Sequence, residues 1–259
     1  MSSFSAQIRG WKTVIFALFL REWQSRFNDK LGLSWAFIEP ALFILVLSFV
    51  RGKVSGGDVH SIPIFIFMLI GMIGIQSFLS SLNSVSTAIK KNKPLYAFRQ
   101  VHPISAVITS AFLEFSIKTV VIVLLSLAVY LMEMPYSFDN PVLLIGVYLL
   151  LWIFSTSIAL IFSIGAAYVP EIDKIKNFIS RPMFFISCVF FSLQDIPTAY
   201  WHYFNWNPVV HFIELARYAC FTSYGKAGVS LEYAAMCSLV SLFFSLSIYH
   251  LTWKTILSR

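Results

Sequence analysis

Charge is scarce in this sequence. Only 12% of its 259 residues are Asp, Glu, Lys or Arg, about half of the roughly 25% that a soluble domain carries. Its three cysteines, at 188, 220 and 237, form no C-x-x-C spacing, which leaves no basis for a disulfide scaffold or a thiolate metal site. Five histidines, at 60, 102, 202, 211 and 250, show no H-E-x-x-H or related spacing, so no metal centre is expected. Neither G-x-x-x-x-G-K-[ST] nor G-x-G-x-x-G occurs; no cofactor site is expected in this chain, and nothing in it binds ATP by a visible motif. Internal repeats and low-complexity tracts are missing too, which weighs against a secondary transporter built from inverted repeats.

Apolar residues fill the space that charge leaves. They make up 58% of the chain, 17% of it aromatic with 26 Phe and 7 Trp, and the mean hydropathy is +0.77. So many large side chains need burial or lipid, which excludes intrinsic disorder and a DNA-binding domain. A bilayer core about 30 Å thick takes roughly 20 helical residues. Six apolar stretches reach about that length, near 34–54, 62–84, 104–132, 141–168, 176–194 and 229–253, and Glu39-Pro40 interrupts the first. Runs this long exclude the short alternating strands of a barrel, so the expected fold is an all-α integral membrane protein, one transmembrane domain over residues 1–259.

Two segments do not read as crossings. Residues 195–228 mix Asp195, Pro197, Asn207, Pro208, Glu214 and Arg217 with Tyr200, Trp201, Tyr203, Phe204 and Trp206. Such aromatics gather at the membrane interface, and the segment is read as two short re-entrant helices broken near Asn207-Pro208. The N-terminus fails as a signal peptide, because Arg9, Lys12, Arg21, Glu22 and Arg26 are spread through it and no A-x-A-like site follows. Phe4, Ile8, Trp11, Ile15, Phe19, Trp23 and Phe27 recur every three to four residues instead. That period predicts an amphipathic interface helix within residues 1–30.

Basic residues fix the expected orientation. With the N-terminus inside, fourteen of the 19 Lys and Arg residues fall on the cytoplasmic side, four outside (Arg51, Lys53, Arg217, Lys226) and one, Lys118, within a span. Under the positive-inside rule this bias predicts an even number of spans with both termini cytoplasmic. It also explains the net charge of +7 without nucleic acid.

Five groups of residues carry candidate function, each beside a plainer reading. Arg21, Glu22 and Arg26 lead through Trp35 to Glu39. The basic residues can simply snorkel, but a carboxylate one turn into hydrocarbon needs protein or water to receive it. Between spans two and three lie Lys90, Lys91, Lys93, Leu95, Tyr96 and Arg99. A solvated basic loop would suffice, except that Leu95, Tyr96 and Phe98 present apolar groups of the kind that mark a partner surface. After span four come Pro170, Glu171 and Asp173 on the same side, readable as a tight turn before a helix N-terminus. Glu114 and Lys118, four residues apart in span three, form an intramembrane pair that neutralises itself or lines a wet path. The last group, Tyr200-Trp201 and Trp206 through Arg217, either anchors the interface or lines an outer exit.

These residues carry a resemblance. Phe19-Leu20-Arg21-Glu22 with Arg26-Phe27, Leu31-Gly32, Trp35 and Glu39-Pro40 are similar to the membrane subunits of type-two ABC exporters. Pro182, Phe185 to Cys188, Ile196-Pro197, Tyr200-Trp201, the block Trp206-Asn207-Pro208 to Glu214-Leu215-Ala216-Arg217, and Gly228 to Leu231 resemble the capsular polysaccharide export permeases of Gram-negative bacteria. The resemblance runs over the whole chain. It implies an inner-membrane, multi-pass, non-enzymatic subunit that forms a homodimer and pairs with two separate ATP-binding cassette subunits, where ATP and Mg would bind. Arg21, Glu22, Arg26, Lys90, Lys91, Lys93, Leu95 and Tyr96 would contact those subunits, with Pro170, Glu171 and Asp173 as a smaller contact. The dimer would enclose a path for a lipid-linked polysaccharide, passed on to a periplasmic adaptor and an outer-membrane channel.

Sugar rings present apolar faces, so weak, repeated aromatic platforms suit a sliding polymer. Trp35, Trp152, Tyr200, Trp201 and Trp206 are the candidate platforms, with Glu39, Glu114 and Lys118 as polar members and Arg217 placed to meet an acidic glycan. Lys118 and the segment from Arg51 to His60 have no counterpart in the resemblance. O-antigen or teichoic acid export within the same family is the alternative cargo. Outside it, an ion-coupled carrier would use Glu114 and Lys118, and a membrane-bound acyl or glycosyl transferase would need acids that converge, which these do not.

Overall fold

The computed structural model describes residues 4–27, 32–55, 57–98 and 101–258. Among them lie eight α-helices: α1 (Phe4–Phe27), α2 (Gly32–Ser55), α3 (Ile64–Lys91), α4 (Pro103–Leu131), α5 (Pro141–Tyr168), α6 (Ile172–Ile186), α7 (Pro208–Cys220) and α8 (Leu231–Ser258). One hairpin joins α2 to α3, with β1 (Asp58–Val59) antiparallel to β2 (Ile62–Pro63). Its two central residues, His60 and Ser61, have φ of 46° and 67°, the left-handed pair that a two-residue turn needs to match the twist of its strands.

The helix α3 is the axis of the bundle. In its most apolar stretch 61% of residues are buried, against 28, 33 and 22% in α4, α5 and α8. Small residues let its neighbours approach closely, as packing between helices in lipid requires. Ser77 and Ser81 of α3 are buried, and so are Ser155, Ala159 and Ser163, spaced every four residues on α5. Ser163 Oγ reaches the amide of Ile89 at 3.5 Å, and Phe154 stacks on Phe78, so α3 and α5 run in the same direction. On the far side of α5, Ser238 of α8 donates to the Leu150 carbonyl at 3.1 Å and Tyr168 donates to that of Thr252 at 3.4 Å. Helices α4 and α5 meet each other chiefly through rings on one half of their length. Phe115 stacks on Tyr148 with ring centres 5.2 Å apart, and lies 5.1 Å from Trp152.

Four helices, α3, α4, α5 and α8, are long and apolar enough to cross a bilayer, and the chain is a multi-pass, mostly helical membrane protein. Helix α2 carries Glu39, Arg51 and Lys53. Helix α6 stops at Ile186 where the apolar pattern ran on to 194. Its 15 residues span about 22 Å, less than the hydrocarbon thickness. Pro182 lies inside it, and the chain turns away at Cys188, whose φ is 54°.

The chain between α6 and α7 is built from local caps. The Ser192 hydroxyl accepts from the Gln194 amide at 3.1 Å while the Asp195 carboxylate accepts from the Ser192 amide at 3.0 Å, a reciprocal cap that starts a 3-10 turn over Leu193–Asp195. A second turn covers Thr198–Tyr203. Asn207 then accepts from the Val209 amide at 3.0 Å, with Pro208 in the first turn of α7, so the Asn-Pro signal marks a true helix start.

At the other end of α7, Asp139 ties that helix to the α4–α5 connection. One of its carboxylate oxygens accepts from both the amide and the hydroxyl of Thr222 at 2.7 Å, and the other accepts from Ser137. These bonds, Ser137 first, hold the Asp139 carboxyl at about 2, below the usual carboxylate range. A carboxyl depressed on folding contributes stability that is present above its unfolded value and is lost as pH falls through its folded value. The Thr222 amide is therefore expected to stay protected from hydrogen exchange down to about pH 3 and to open as pH approaches 2. Asp139→Ala should expose it at neutral pH while α5 stays protected; equal protection in the variant would show that the clamp does not hold.

Candidate functional site

At the α1 end of the bundle, three segments distant in sequence are joined by charge. Glu22 of α1 is buried, with Lys91 Nζ of α3 at 3.5 Å and Arg21 at 3.8 Å from Oε1. Arg21 also donates to the side chain of Asn92, which in turn donates to the Ala88 carbonyl at 2.9 Å and so caps α3. One residue before Lys91 on α3, Lys90 reaches Asp173 at the start of α6 at 3.9 Å, and Asp173 also receives Lys176 at 3.8 Å. Lys176 is buried and donates to Ser86 of α3 at 2.9 Å. Helix α1 reaches this position by packing on α4: Trp11 donates from its indole to Ser105 at 2.8 Å, and Thr109 reaches the Ile15 carbonyl at 3.5 Å.

The candidate contact residues are therefore together. Lys93, Pro170 and Glu171 are exposed at this end, beside exposed Phe98 and Val169. Leu95 and Tyr96 are half-buried. The Tyr96 hydroxyl is sealed inside without a hydrogen-bond partner, and burial first, then nearby Tyr249 and Glu22, pushes its pKa up. The side chain of Arg26 lies outside the described residues. Asn92, Lys176 and Ser86 were not singled out from sequence; only the i, i+3 spacing of Asp173 and Lys176 could have pointed to one of them.

Midway along α4, Glu114 is buried and Lys118 half-buried. Both line a space of about 10 Å³ with Ser77, Ser81, Trp152 and Ser155, room for about one water. Glu39 of α2, itself exposed, is the second carboxylate that acts on Lys118. Trp152 is fixed there by donating its indole to the Ala111 carbonyl at 3.0 Å.

At the end opposite α1, the aromatic candidates separate into two kinds. Tyr200 and Trp206 are exposed, and Tyr200 stacks toward Tyr203 at 6.5 Å. Trp35, in the first turn of α2 and so away from this end, is exposed as well. Trp201 is not: its indole donates to the Ile196 carbonyl at 2.8 Å, and its ring fits over Gly228, where an added Cβ would lie 2.6 Å from it.

Arg217 has the position least expected from sequence. It is wholly buried, with Nη1 2.8 Å from Glu214 Oε1 and from the Cys188 carbonyl, and Nη2 2.9 Å from the Val189 carbonyl. Its guanidinium lies 3.6 Å over the Phe67 ring, with Nε left without an acceptor. The other Glu214 oxygen accepts from Tyr224 at 2.7 Å, and Tyr224 shares a 2.5 Å bond with Ser192. The charge placed to meet a glycan is spent inside the protein, locking α7 to α3 and to the turn after α6. Gly71 of α3 leaves the room: a Cβ there would come within 2.6 Å of Arg217 Nη2 and 3.0 Å of the Val189 carbonyl.

Compared with known proteins, residues 13–221 match the ABC-2 type transporter model. The chain belongs to the ABC-2 type transporter family. Family membership makes it the membrane subunit of a transporter rather than an enzyme, in a family whose ATP-binding cassettes are generally separate subunits. Among the described residues no group of His, Cys, Asp and Glu is arranged to hold a metal ion. The ABC-2 chain is 38% identical over 239 residues to the polysialic acid transport protein KpsM of Escherichia coli, covering 92% of this chain and 93% of that one. It is 26% identical to the capsule polysaccharide export inner-membrane protein CtrC of Neisseria meningitidis serogroup A, covering 95% and 94%. With the capsule polysaccharide export inner-membrane protein BexB of Haemophilus influenzae it shares 22% identity over 80% and 79% of the chains.

Breaking a buried ion pair by removing one partner costs about 3–5 kcal/mol, whereas replacing both can be nearly neutral. Arg217→Met and Glu214→Gln are each expected to lower the thermal stability of the purified ABC-2 subunit by that amount. The double variant should recover much of it, and Gly71→Ala should resemble Arg217→Met. Additive losses in the double variant would show the two groups to be uncoupled.

Proposed function

We propose that this chain is the permease subunit of an ATP-driven exporter that moves a lipid-linked capsular polysaccharide across the inner membrane. What carries this reading is similarity over nearly the full chain to relatives named for capsule polysaccharide export and polysialic acid transport. Two copies enclose the path, and two cassette subunits bind and hydrolyse ATP with Mg. Six spans are formed by α2, α3, α4, α5, α6 with the chain after it, and α8. Both termini face the cytoplasm, and the segment from the 3-10 turns through α7 is re-entrant from the periplasmic side. A periplasmic adaptor and an outer-membrane channel receive the polymer.

The geometry at the α1 end supports the coupling role. Arg21, Glu22, Lys90, Lys91 and Asp173 join α1, α3 and α6 into one charged rim, next to exposed Phe98 and Val169. Such a patch suits a protein partner that pushes several helices together. At the other end, the exposed rings of Tyr200, Tyr203 and Trp206 suit sugar faces. With Arg217 spent on Glu214, the exit offers stacking rather than a fixed anionic site, which favours sliding over tight capture.

The subunit reconstituted with its cassette partner is expected to move polysaccharide in an ATP-dependent way. Transport by the chain alone along an ion gradient would overturn the proposal. For the rim, Lys91→Glu should cost about 1–3 kcal/mol of local stability by leaving Glu22 buried beside a like charge and should reduce surface polysaccharide. Adding Glu22→Lys should restore export, as read by capsule staining at equal membrane abundance.

A further inference from the structure

We propose that the cleft between α4 and α5 holds one acyl chain of a membrane phospholipid. The ring contacts of Phe115 with Tyr148 and Trp152 close these helices together on one half. Beyond them, toward the α4–α5 connection, the helices part and leave a cleft of about 280 Å³. Ile70, Ile73 and Gly74 of α3 form its floor with Phe212 and Ala216 of α7. Tyr136 and Phe138, with ring centres 5.8 Å apart, close its end. The mouth is framed by exposed Val123 and Ile145, on two helices long and apolar enough to sit in hydrocarbon.

Size and chemistry select the occupant. An apolar cleft does not hold water, and leaving it empty forfeits the dispersion contacts of its walls. The cleft follows α4 from Thr119 to Val129, a rise of about 15 Å and so about half of the bilayer core. That is the depth of one leaflet, which a single lipid tail lying along the helices would fill. Because Phe212 and Ala216 belong to α7, the chain braces from the lipid side the helix that Arg217 locks from within. The proposal rests on α4 and α5 spanning the bilayer and not on the polysaccharide reading.

The test reconstitutes the full chain in vesicles containing a phosphatidylglycerol with a diazirine midway along one acyl chain, followed by irradiation and mass-spectrometric mapping. Adducts are expected on Ile70 and Ile73, behind α4 and α5, as well as on Leu239 and Phe243 of α8, which are exposed to any surrounding lipid. In the variant Val123→Trp/Ile145→Trp, which narrows the mouth without touching the floor, adducts on α3 should fall at least about tenfold while those on α8 persist. Labelling of α8 with none on the floor would overturn the proposal. So would floor labelling that the variant leaves unchanged, or that only a prenyl-chain probe produces. Val123→Cys chains joining to each other as a disulfide would show that a second copy covers the mouth, and would overturn it as well.

Discussion

A guanidinium sealed away from water has to be surrounded by acceptors, and that requirement at Arg217 organises one whole end of this protein. Isolated, such a charge costs many kcal/mol. Here a carboxylate, two carbonyls at 2.8 and 2.9 Å and an aromatic face receive it. The acceptors come from the turn after α6, from α7 itself and from the neighbourhood of α3. None of those elements can leave alone without exposing the charge. The bend at Cys188 and the glycine at 71 are consequences: one brings two carbonyls to the guanidinium, and the other makes space for it.

The same helix that accommodates Arg217 also reaches the charged rim. From Gly71 to Lys91, α3 runs unbroken, about 30 Å at the usual rise. A tilt of α3 imposed through Lys91 and Glu22 would swing Gly71 past a contact that has no slack. Polar clusters at both ends of one rod are thus a physical route by which a partner of the kind proposed at the rim would act on the distant end, without any side-chain relay in between. The small residues along α3 and α5 allow that rod to pack tightly, and a water-sized space near Glu114 and Lys118 lies beside it.

Much of this was legible in the residues. The period of α1, the Asn207-Pro208 start of α7, the length of α3, α4, α5 and α8, and the convergence of basic segments on one end all follow from spacing and charge. Glu214 and Arg217 stand three residues apart, but that spacing says only that two side chains share a helix face. Whether that face meets lipid, water or another helix is decided by Phe67, Gly71 and Val189, which lie far away in sequence. Trp201 and Trp206 illustrate the same limit. Both are aromatic and five residues apart, yet one covers Gly228 and the other stands in the open. Lys176 escaped notice because a lysine near a helix start reads as solvated until Ser86 and Asp173 are found around it.

Helix α6 shows how local sequence and bilayer thickness compete. The apolar run from 176 to 194 is long enough to cross, but Pro182 costs the helix a backbone bond. The chain then turns at Cys188 because the two carbonyls that follow are needed by Arg217. A helix continued to 194 would have spent those carbonyls on the amides of residues 192 and 193 and left the guanidinium unsatisfied. Shortening α6 is therefore the condition for burying Arg217, and burying Arg217 is what holds α7 against α3. The short capped turns over 192–203 follow from this, since the backbone released from α6 at that depth must satisfy itself locally, as Ser192 and Asp195 do for each other.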